Sequence, residues 1–150
     1  MEIIKYTKER IPDVLRFEHD LRLEEDFWGW KIDDKYTANV TASFENPAFA
    51  NSLSLLAYDK GKVVGRIDST LICSHFDGSI NKAYLDWICV IKSHRHKGVA
   101  QKLMQTLRKE LKNRGADTLI GLIASNEEAQ RFYRSLPCAE IRDEGIWIEL

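Results

Sequence analysis

The chain has 150 residues, and its 22 Lys and Arg residues nearly balance its 23 Asp and Glu residues, which gives a formal net charge of −1 at pH 7. This length predicts a single domain, spanning residues 1–150, that buries its own core. The charge balance argues against a nucleic-acid-binding protein. No apolar run approaches the roughly 20 residues that a membrane span requires.

The first ten residues lack the charged start, apolar stretch and cleavage site of a signal peptide. Cysteines are odd in number and do not have the spacing of a metal site: Cys73, Cys89 and Cys138. Such cysteines are typical of reduced thiols in the cytosol. We therefore expect a cytoplasmic protein without a metal ion.

Alternation and helical periodicity divide the first half of the chain into strands, a helix and turns. Apolar residues from Ile11 to Leu23 form one face of a helix, and Pro12 lies in its first turn, where proline is tolerated. The polar segment 36–51 predicts a connection with room for a short helix. The other elements predicted before residue 84 are strands over 2–6, 52–58 and 63–73, and turns over 59–62 and 74–82.

Acidic and aromatic residues are concentrated between the first helix and residue 34. Seven acidic residues lie between Glu18 and Asp34 against two basic ones, together with the aromatic run 27–30. One interpretation is a solvated acidic loop whose aromatic side chains cap the core. In the other, carboxylates and aromatic faces attract a cationic amine substrate. The candidate residues for this second interpretation are Asp26, Trp28 and Trp30.

The second half of the chain centres on a strand that leads through a basic turn into a helix. Residues 84–91 are mostly β-branched, aromatic or apolar, which predicts a buried strand. From Val99 onward, apolar residues recur every four positions opposite a basic face, which predicts a helix of about four turns that ends near Gly115. The elements predicted after it are a strand over 118–124, a helix over 124–136 and a closing strand over 140–150.

The turn between strand and helix predicts an anion site. A helix N-terminus presents unpaired backbone N–H groups and the positive end of the helix dipole, and a phosphate group fits such a place well. Gly98 lets the phosphate approach the backbone, and Ala100 is small enough to permit the same approach. The P-loop and the dinucleotide-binding glycine pattern are both absent.

A second motif lies at residues 124–136. Ser125 and Glu128 have the spacing of a capping box, and apolar residues at i, i+3, i+4 and i+7 give the helix one apolar face. Near the start of this helix is Asn126, and its aromatic pair is Phe132 and Tyr133.

Together the two motifs resemble those of the GNAT superfamily of N-acetyltransferases. The pattern Arg95-x-x-Gly98-x-Ala100 is similar to the pyrophosphate loop of that family, and the second helix carries its Asn and its Tyr at matching positions. The resemblance covers the C-terminal two-thirds of the chain. It implies an α/β (α+β) fold with a central mixed, mostly antiparallel sheet and helices on both faces.

The resemblance also implies acetyl-CoA as cofactor. We expect the cofactor to bind along the central strand, at the pyrophosphate loop and at the start of the second helix. The expected residues are Ile88, Cys89, Val90, Arg95, His96, Lys97, Gly98, Val99, Ala100 and Asn126. A backbone N–H near Cys89 or Val90 is expected to polarise the thioester carbonyl, an effect typically worth about 3 kcal/mol of barrier.

Two side chains are candidate catalysts. An alkyl amine is mostly protonated at pH 7, and Asp86, a carboxylate in an otherwise apolar strand, is the candidate that takes its proton, directly or through a water. Tyr133 matches the family's Tyr and is the candidate acid that protonates the departing sulfur. Each has a structural alternative: a hydrogen-bonded Asp within the sheet, and a Tyr that packs beside Phe132.

Cys89 invites a covalent acetyl-enzyme interpretation, but no base is assignable beside it, and a buried free cysteine is the commoner case. After Tyr133 the family usually continues to Gly-Phe, whereas this chain has Pro137 and Cys138. Pro137 still ends the helix, but the path into the final strand differs from the family's.

We therefore expect an enzyme that transfers acetyl directly from acetyl-CoA to a primary amine of a small molecule or peptide, with a homodimer as the family's frequent assembly. Residues 52–65 and 141–144 are also loosely similar to small aminoglycoside N-acetyltransferases, which makes a polycation an alternative acceptor. The alternative from another class is a non-catalytic acyl-CoA-binding module. A nucleic-acid binder that uses the basic helix 102–114 is a third hypothesis, and it predicts steep salt dependence.

Overall fold

The computed structural model describes residues 1–25, 31–73, 80–142 and 145–149. Its strands are β1 (Glu2–Lys5), β2 (Ser52–Asp59), β3 (Lys62–Cys73), β4 (Ile80–Val90) and β5 (Thr118–Gly121). Its α-helices are α1 (Ile11–Glu24), α2 (Asp34–Ser43), α3 (Val99–Asn113) and α4 (Glu127–Arg134). Short 3-10 helices cover Lys8–Arg10, Pro47–Phe49 and Lys92–His94.

The strands form one sheet whose spatial order follows the chain, from β1 to β5. The first three pairings, β1 with β2, β2 with β3 and β3 with β4, are antiparallel. Between β2 and β3 the chain turns through Lys60 and Gly61, both with positive φ (48° and 77°), the conformation that two-residue hairpins require. The predicted meander of three antiparallel strands, which ends in strand and helix units, is confirmed.

Helices α1 and α3 cover opposite faces of the sheet. Leu56 packs in a buried cluster with α1 residues such as Phe17. Its neighbour Ala57 pairs with Gly65, and a Cβ added at Gly65 would meet the α3 side chains of Val99 and Leu103 at 3.1 Å. Since consecutive strand residues point to opposite faces, the sheet has one helix on each side, as predicted. Gly65 is the position where α3 approaches the sheet closely.

A β-bulge interrupts the pairing of β3 with β4. Asp68 pairs with Trp87, but the next residue of β3, Ser69, pairs with Leu85. Asp86 is therefore the extra residue on β4. A bulge bends its strand and redirects the side chain at that point, and it is over-represented beside functional sites.

The described chain divides into two compact units, residues 1–120 and 121–150. In the second unit, α4 begins after Asn126, whose side-chain oxygen accepts from the N–H of Ala129 at 2.9 Å. The predicted capping box with Ser125 is wrong, because an Asn one position later satisfies the same kind of N–H group. That residues 1–150 form one domain stays a prediction.

The predicted closing strand over 140–150 is also wrong for the described residues of that segment, none of which is in a strand. Alternation indicates a face that a strand could bury, but it supplies no neighbouring strand to pair with. Ile146, Trp147 and Ile148 are correspondingly exposed.

Helix α2 corresponds to the short helix expected within 36–51. It has ten residues and begins two residues before that segment. Asp33 caps it by accepting from the Tyr36 N–H at 2.8 Å. None of its residues is buried. Its weak amphipathic pattern explains why periodicity did not predict its length.

Candidate active site

A cleft of about 750 Å³ opens beside the α1 face of the sheet. Its floor includes Arg66, Asp68 and Thr70 from β3 and Asp86 from β4, and α2 with the following 3-10 helix contributes a second wall. Strand geometry explains the polar floor, because residues 66, 68 and 70 alternate onto the same side of β3. The cleft lies wholly within the first unit.

Asp86 opens onto this cleft from the bulge of β4. We predicted a buried carboxylate, but the residue is exposed. Partial desolvation still raises the pKa of Asp86; the Thr70 hydroxyl, which donates to its Oδ2 at 2.8 Å, opposes this shift, and the charge of Asp68 adds to it. Among the described residues no cation pairs with Asp86. Its carboxylate is thus accessible to a substrate and more basic than an ordinary Asp.

Arg66 is the centre of a charged network beneath the cleft. Its Nη1 donates to Glu18 of α1 at 2.7 Å, and its Nε lies 2.8 Å from Oδ2 and 3.0 Å from Oδ1 of Asp68. The guanidinium also lies over the Tyr6 ring at 4.9 Å and the Trp87 ring at 5.5 Å. Two carboxylates and two aromatic faces therefore hold one cation in place.

Glu18 links this network to α2. The residue is 7 % exposed, and the Tyr36 hydroxyl of α2 donates to its Oε2 at 2.7 Å. Burial raises the pKa of Glu18, while the bonds from Tyr36 and Arg66 oppose that shift. Glu18 is the first of the seven acidic residues between positions 18 and 34. It is thus a buried structural partner and not part of a solvated face.

Sequence reasoning missed Arg66, Asp68 and Tyr36. A signal for two of them was present, since polar residues at alternate positions of an otherwise apolar strand indicate one polar face. No local pattern relates Arg66 to Glu18, which is 48 positions away.

The predicted anion site lies at the start of α3. Gly98 precedes the helix with φ 78°, and no side chain caps this end. The first amide to donate within this helix is that of Lys102, to the Gly98 carbonyl at 3.0 Å. A Cβ added at Gly98 would meet nothing within 4 Å. An uncapped helix N-terminus with open space beside its glycine fits the pyrophosphate of acetyl-CoA.

The Arg95 side chain stabilises this loop through contacts within the protein. Its Nε donates to the Val90 carbonyl at 3.0 Å, and its Nη1 lies 2.5 Å from Oε1 of Glu25. Lys97 donates from Nζ to the Ser93 carbonyl at 2.8 Å. Both side chains thus bond within the protein. The loop amides at and after Gly98, rather than these cations, offer the donors for a phosphate.

The central-strand residues divide between the two faces. Ile88 pairs with Ile67 and Val90 with Gly65, whereas Cys89 packs against the α1 cluster. Burial is the main cause that raises the pKa of the Cys89 thiol to about 12. A thiol this weakly acidic is not a nucleophile at neutral pH, which agrees with our preference for direct transfer.

Five further predicted positions comprise one in the core, one in the second unit and three outside the described residues. Val99 is buried, so its side chain belongs to the core and only its backbone can serve a ligand. In the second unit, Tyr133 is half-buried, and its ring centroid lies 5.2 Å from that of Phe132 in an edge-to-face arrangement. The candidate substrate residues lie outside the described residues: Asp26, Trp28 and Trp30.

The family model for the GNAT acetyltransferases matches residues 7–136. The chain belongs to the GNAT acetyltransferase family. Proteins of this family use acetyl-CoA.

Individual relatives of this GNAT protein act on different amines. It is 30 % identical over 86 residues to N-alpha-acetyltransferase 30 of Schizosaccharomyces pombe, a match that spans 55 % of each chain. Its fold is similar to that of an aminoglycoside acetyltransferase from an uncultured soil metagenomic sample, solved with sisomicin (TM-score 0.82, 16 % identity, 99 % and 95 % of the two chains). It is also similar to ribosomal-protein-alanine N-acetyltransferase from Brucella melitensis biovar Abortus 2308 (TM-score 0.78, 18 % identity, 99 % and 96 %).

The described residues contain neither a candidate membrane span nor a candidate metal site. None of the described helices combines the length and apolar character needed to cross a membrane. Within the same part of the chain, no three His, Cys, Asp or Glu side chains are grouped so that they could hold a metal ion.

Proposed function

We propose that this GNAT protein is an N-acetyltransferase that moves an acetyl group from acetyl-CoA directly to a primary amine of a small molecule or peptide. The observation that carries the proposal is Asp86, an accessible carboxylate at a bulge in the floor of a large cleft. Family membership supports acetyl-CoA as the donor. The named relatives, which act on aminoglycosides or on protein amines, support an amine acceptor.

Asp86 acts as the general base, directly or through one water. The acceptor arrives mostly as an ammonium ion, which has no lone pair to attack a carbonyl. A carboxylate in the cleft attracts this cation and then takes its proton. The raised pKa of Asp86 brings its basicity closer to that of the amine, which eases the transfer.

The loop at the start of α3 holds the cofactor through backbone N–H groups. Acetyl-CoA would supply a thioester: the neutral amine nitrogen would gain the acetyl carbon and lose its second proton to water, and the C–S bond would break with the electron pair leaving on sulfur. Tyr133 is the acid that returns a proton to that sulfur, and Asn126 marks the start of the helix that carries it. A backbone N–H near Cys89 or Val90 stabilises the charge on the carbonyl oxygen.

Calorimetric titration with acetyl-CoA tests the cofactor site. We expect the parent protein to bind and a Gly98→Glu variant to lose binding, because the variant places a carboxylate and a strained positive φ at the anion site. A Lys60→Glu variant is the matched control, since it introduces the same side chain at another positive-φ position, in the β2–β3 turn. Absence of binding by the parent protein would refute the proposal.

An amine screen with Asp86→Asn and Tyr133→Phe variants then tests the catalytic roles. Direct base catalysis typically contributes about 10²–10⁴-fold, so we expect the Asn variant to lose activity by that order while still binding acetyl-CoA. Full turnover in both variants would contradict the assignments. Binding without turnover for any amine would favour the acyl-CoA-binding module.

The finer parts of the proposal concern location and assembly. We place the enzyme in the cytoplasm, on the composition of its cysteines, and we propose a homodimer by analogy with the family. Light scattering on the purified protein measures its mass, and a monomer at all concentrations would refute the dimer.

A further inference from the structure

The charges around the cleft do not cancel. Of the charged residues that line it, Lys8 pairs with Glu45, and Lys5 offsets Glu9, which leaves the floor group. In that group the single cation Arg66 is shared by Asp68 and by Glu18, a buried α1 residue beneath the cleft and not one of those that line it, and Asp86 has no cation among the described residues. Three carboxylates against one guanidinium leave two negative charges.

Arg66 carries one positive charge for two carboxylates, so Glu18 and Asp68 together hold one negative charge in excess, and Asp68 is the one of the two that lines the cleft. Glu18 is more deeply buried than Asp68, with side chains 8 % and 14 % exposed, and it accepts hydrogen bonds from both Arg66 and Tyr36. Both of these donors belong to the protein, so Glu18 already has its partners beneath the cleft. Asp68, whose two oxygens contact one guanidinium nitrogen, keeps further acceptor positions for a donor in the cleft.

The two excess carboxylates are neighbours on one surface. Asp68 pairs with Trp87, the residue after Asp86, and Thr70, two positions from Asp68 on β3, bonds to Asp86. Side chains so placed on adjacent strands have Cβ atoms roughly 5–8 Å apart. A monocation that neutralises the charge of one of these carboxylates leaves the charge of the other uncompensated.

Tyr6 supplies an independent sign of a ligand. It lines the same cleft and is 7 % exposed, and its hydroxyl has no hydrogen-bond partner among the described residues. Such an unpaired buried group is costly and calls for a functional explanation.

We propose that the acceptor carries a second cationic group beside the amine that is acetylated, and that Asp68 binds this second group while Asp86 receives the reacting amine. The inference rests on the proposed acetyl transfer and names the class of its acceptor: a diamine, or a peptide whose N-terminus lies near a basic side chain. Arg66 fixes the carboxylate of Asp68 for this task. Asp68 is then a specificity-determining residue.

Matched acceptors test the inference in the parent protein. We would measure kcat/KM with acetyl-CoA for butane-1,4-diamine against butylamine, and for the peptide amide Ala-Lys-Ala against Ala-norleucine-Ala. Each pair differs by one ammonium group. We expect a preference of at least roughly tenfold for the dicationic member of at least one pair, reduced by added salt because the attraction is electrostatic.

The Asp68→Asn variant separates recognition from folding. It is close in shape to the parent, and we expect the ratio of kcat/KM for the dicationic member to kcat/KM for the monocationic member to fall towards one, whereas a purely structural residue would lower both values by the same factor and leave their ratio unchanged. Glu9→Gln at the rim is the control, because it removes the same charge from a carboxylate that lines the cleft away from the floor, and it should keep the preference.

The outcomes distinguish the two proposals. Equal activity with both members of each pair overturns the second-cation inference and leaves acetyl transfer standing. No acetylation of these four amines or of any amine in the screen described above, by a protein that binds acetyl-CoA, refutes the proposed function itself. An unchanged preference in the Asp68→Asn variant also overturns the inference.

Discussion

Replacing Tyr6 by Phe should make the protein more stable. The Tyr6 hydroxyl is buried and has no partner among the described residues, whereas its ring packs edge-to-face on Phe44 at 5.0 Å and beneath Arg66 at 4.9 Å. Phe keeps both ring contacts and removes the unpaired group. An unsatisfied buried polar group costs about 1–3 kcal/mol, so we expect a gain of about 1 kcal/mol in the free energy of unfolding at pH 7.

The gain should grow at alkaline pH. Burial raises the pKa of Tyr6 from 10.0 to about 12. The folded chain therefore keeps its phenol proton at a pH where the unfolded chain has lost it, and the parent protein loses stability as the pH rises from 10 to 12. At pH 11 this difference amounts to about 1.4 kcal/mol. The Phe variant has no such loss, so its advantage at pH 11 becomes about 2.4 kcal/mol.

Urea denaturation of both proteins at pH 7 and pH 11 measures these differences. Tyr58→Phe is the matched control, because the Tyr58 hydroxyl donates to Asp13 at 2.7 Å and its removal at pH 7 should cost about 0.5–1.5 kcal/mol. The same chemical change is thus expected to have opposite signs at the two sites. Destabilisation by Tyr6→Phe at pH 7, or a gain that does not increase at pH 11, would refute the reasoning.

Three further changes test the packing and the site. Gly65→Ala should destabilise the protein by about 1–3 kcal/mol, because the new Cβ would lie 3.1 Å from two α3 side chains. The measurement is the thermal midpoint of unfolding, which should fall. An unchanged midpoint would mean that α3 shifts at little cost. Thr70→Val removes a hydrogen bond that lowers the pKa of Asp86. The acid limb of the pH profile of kcat/KM, where Asp86 becomes protonated and activity falls, should therefore move to higher pH. An acid limb that stays in place would contradict the role of Asp86 as the base. Cys89→Ala should retain acetyl transfer, since the thiol is protonated at neutral pH, and its loss in a well-folded variant would revive the covalent route.

The parts of the fold that the sequence predicted well are those with local signals. The four-residue spacing of Leu103, Leu107 and Leu111 specified α3, and its Gly98 start followed from the same stretch of chain. The β2–β3 hairpin followed from two apolar runs around Lys60 and Gly61. Motifs only a few residues long predicted the family, and the match of the family model confirmed it.

Local signals were insufficient where a segment depends on a distant partner. The alternation at 140–150 lacked a strand to pair with among the described residues. The N-cap of α4 lies one residue later than the capping box predicts, because Ser125 and Asn126 are both good caps and only the backbone path selects between them. Asp86 was expected to be buried, and the bulge that exposes it depends on the register between two strands.

By itself, therefore, the sequence determined the helix at the cofactor loop, the hairpin and the family, because each depends on residues within about one turn or one strand of each other. The cleft that we propose for the acceptor was decided only by the tertiary structure. Glu18 on α1, Tyr36 on α2 and Arg66 on β3 meet across separations of 18 and 48 residues. Burial gives this contact its importance, because a carboxylate that is removed from water needs a partner. The single cation Arg66 serves both Glu18 and Asp68, so one negative charge is left without a counter-charge.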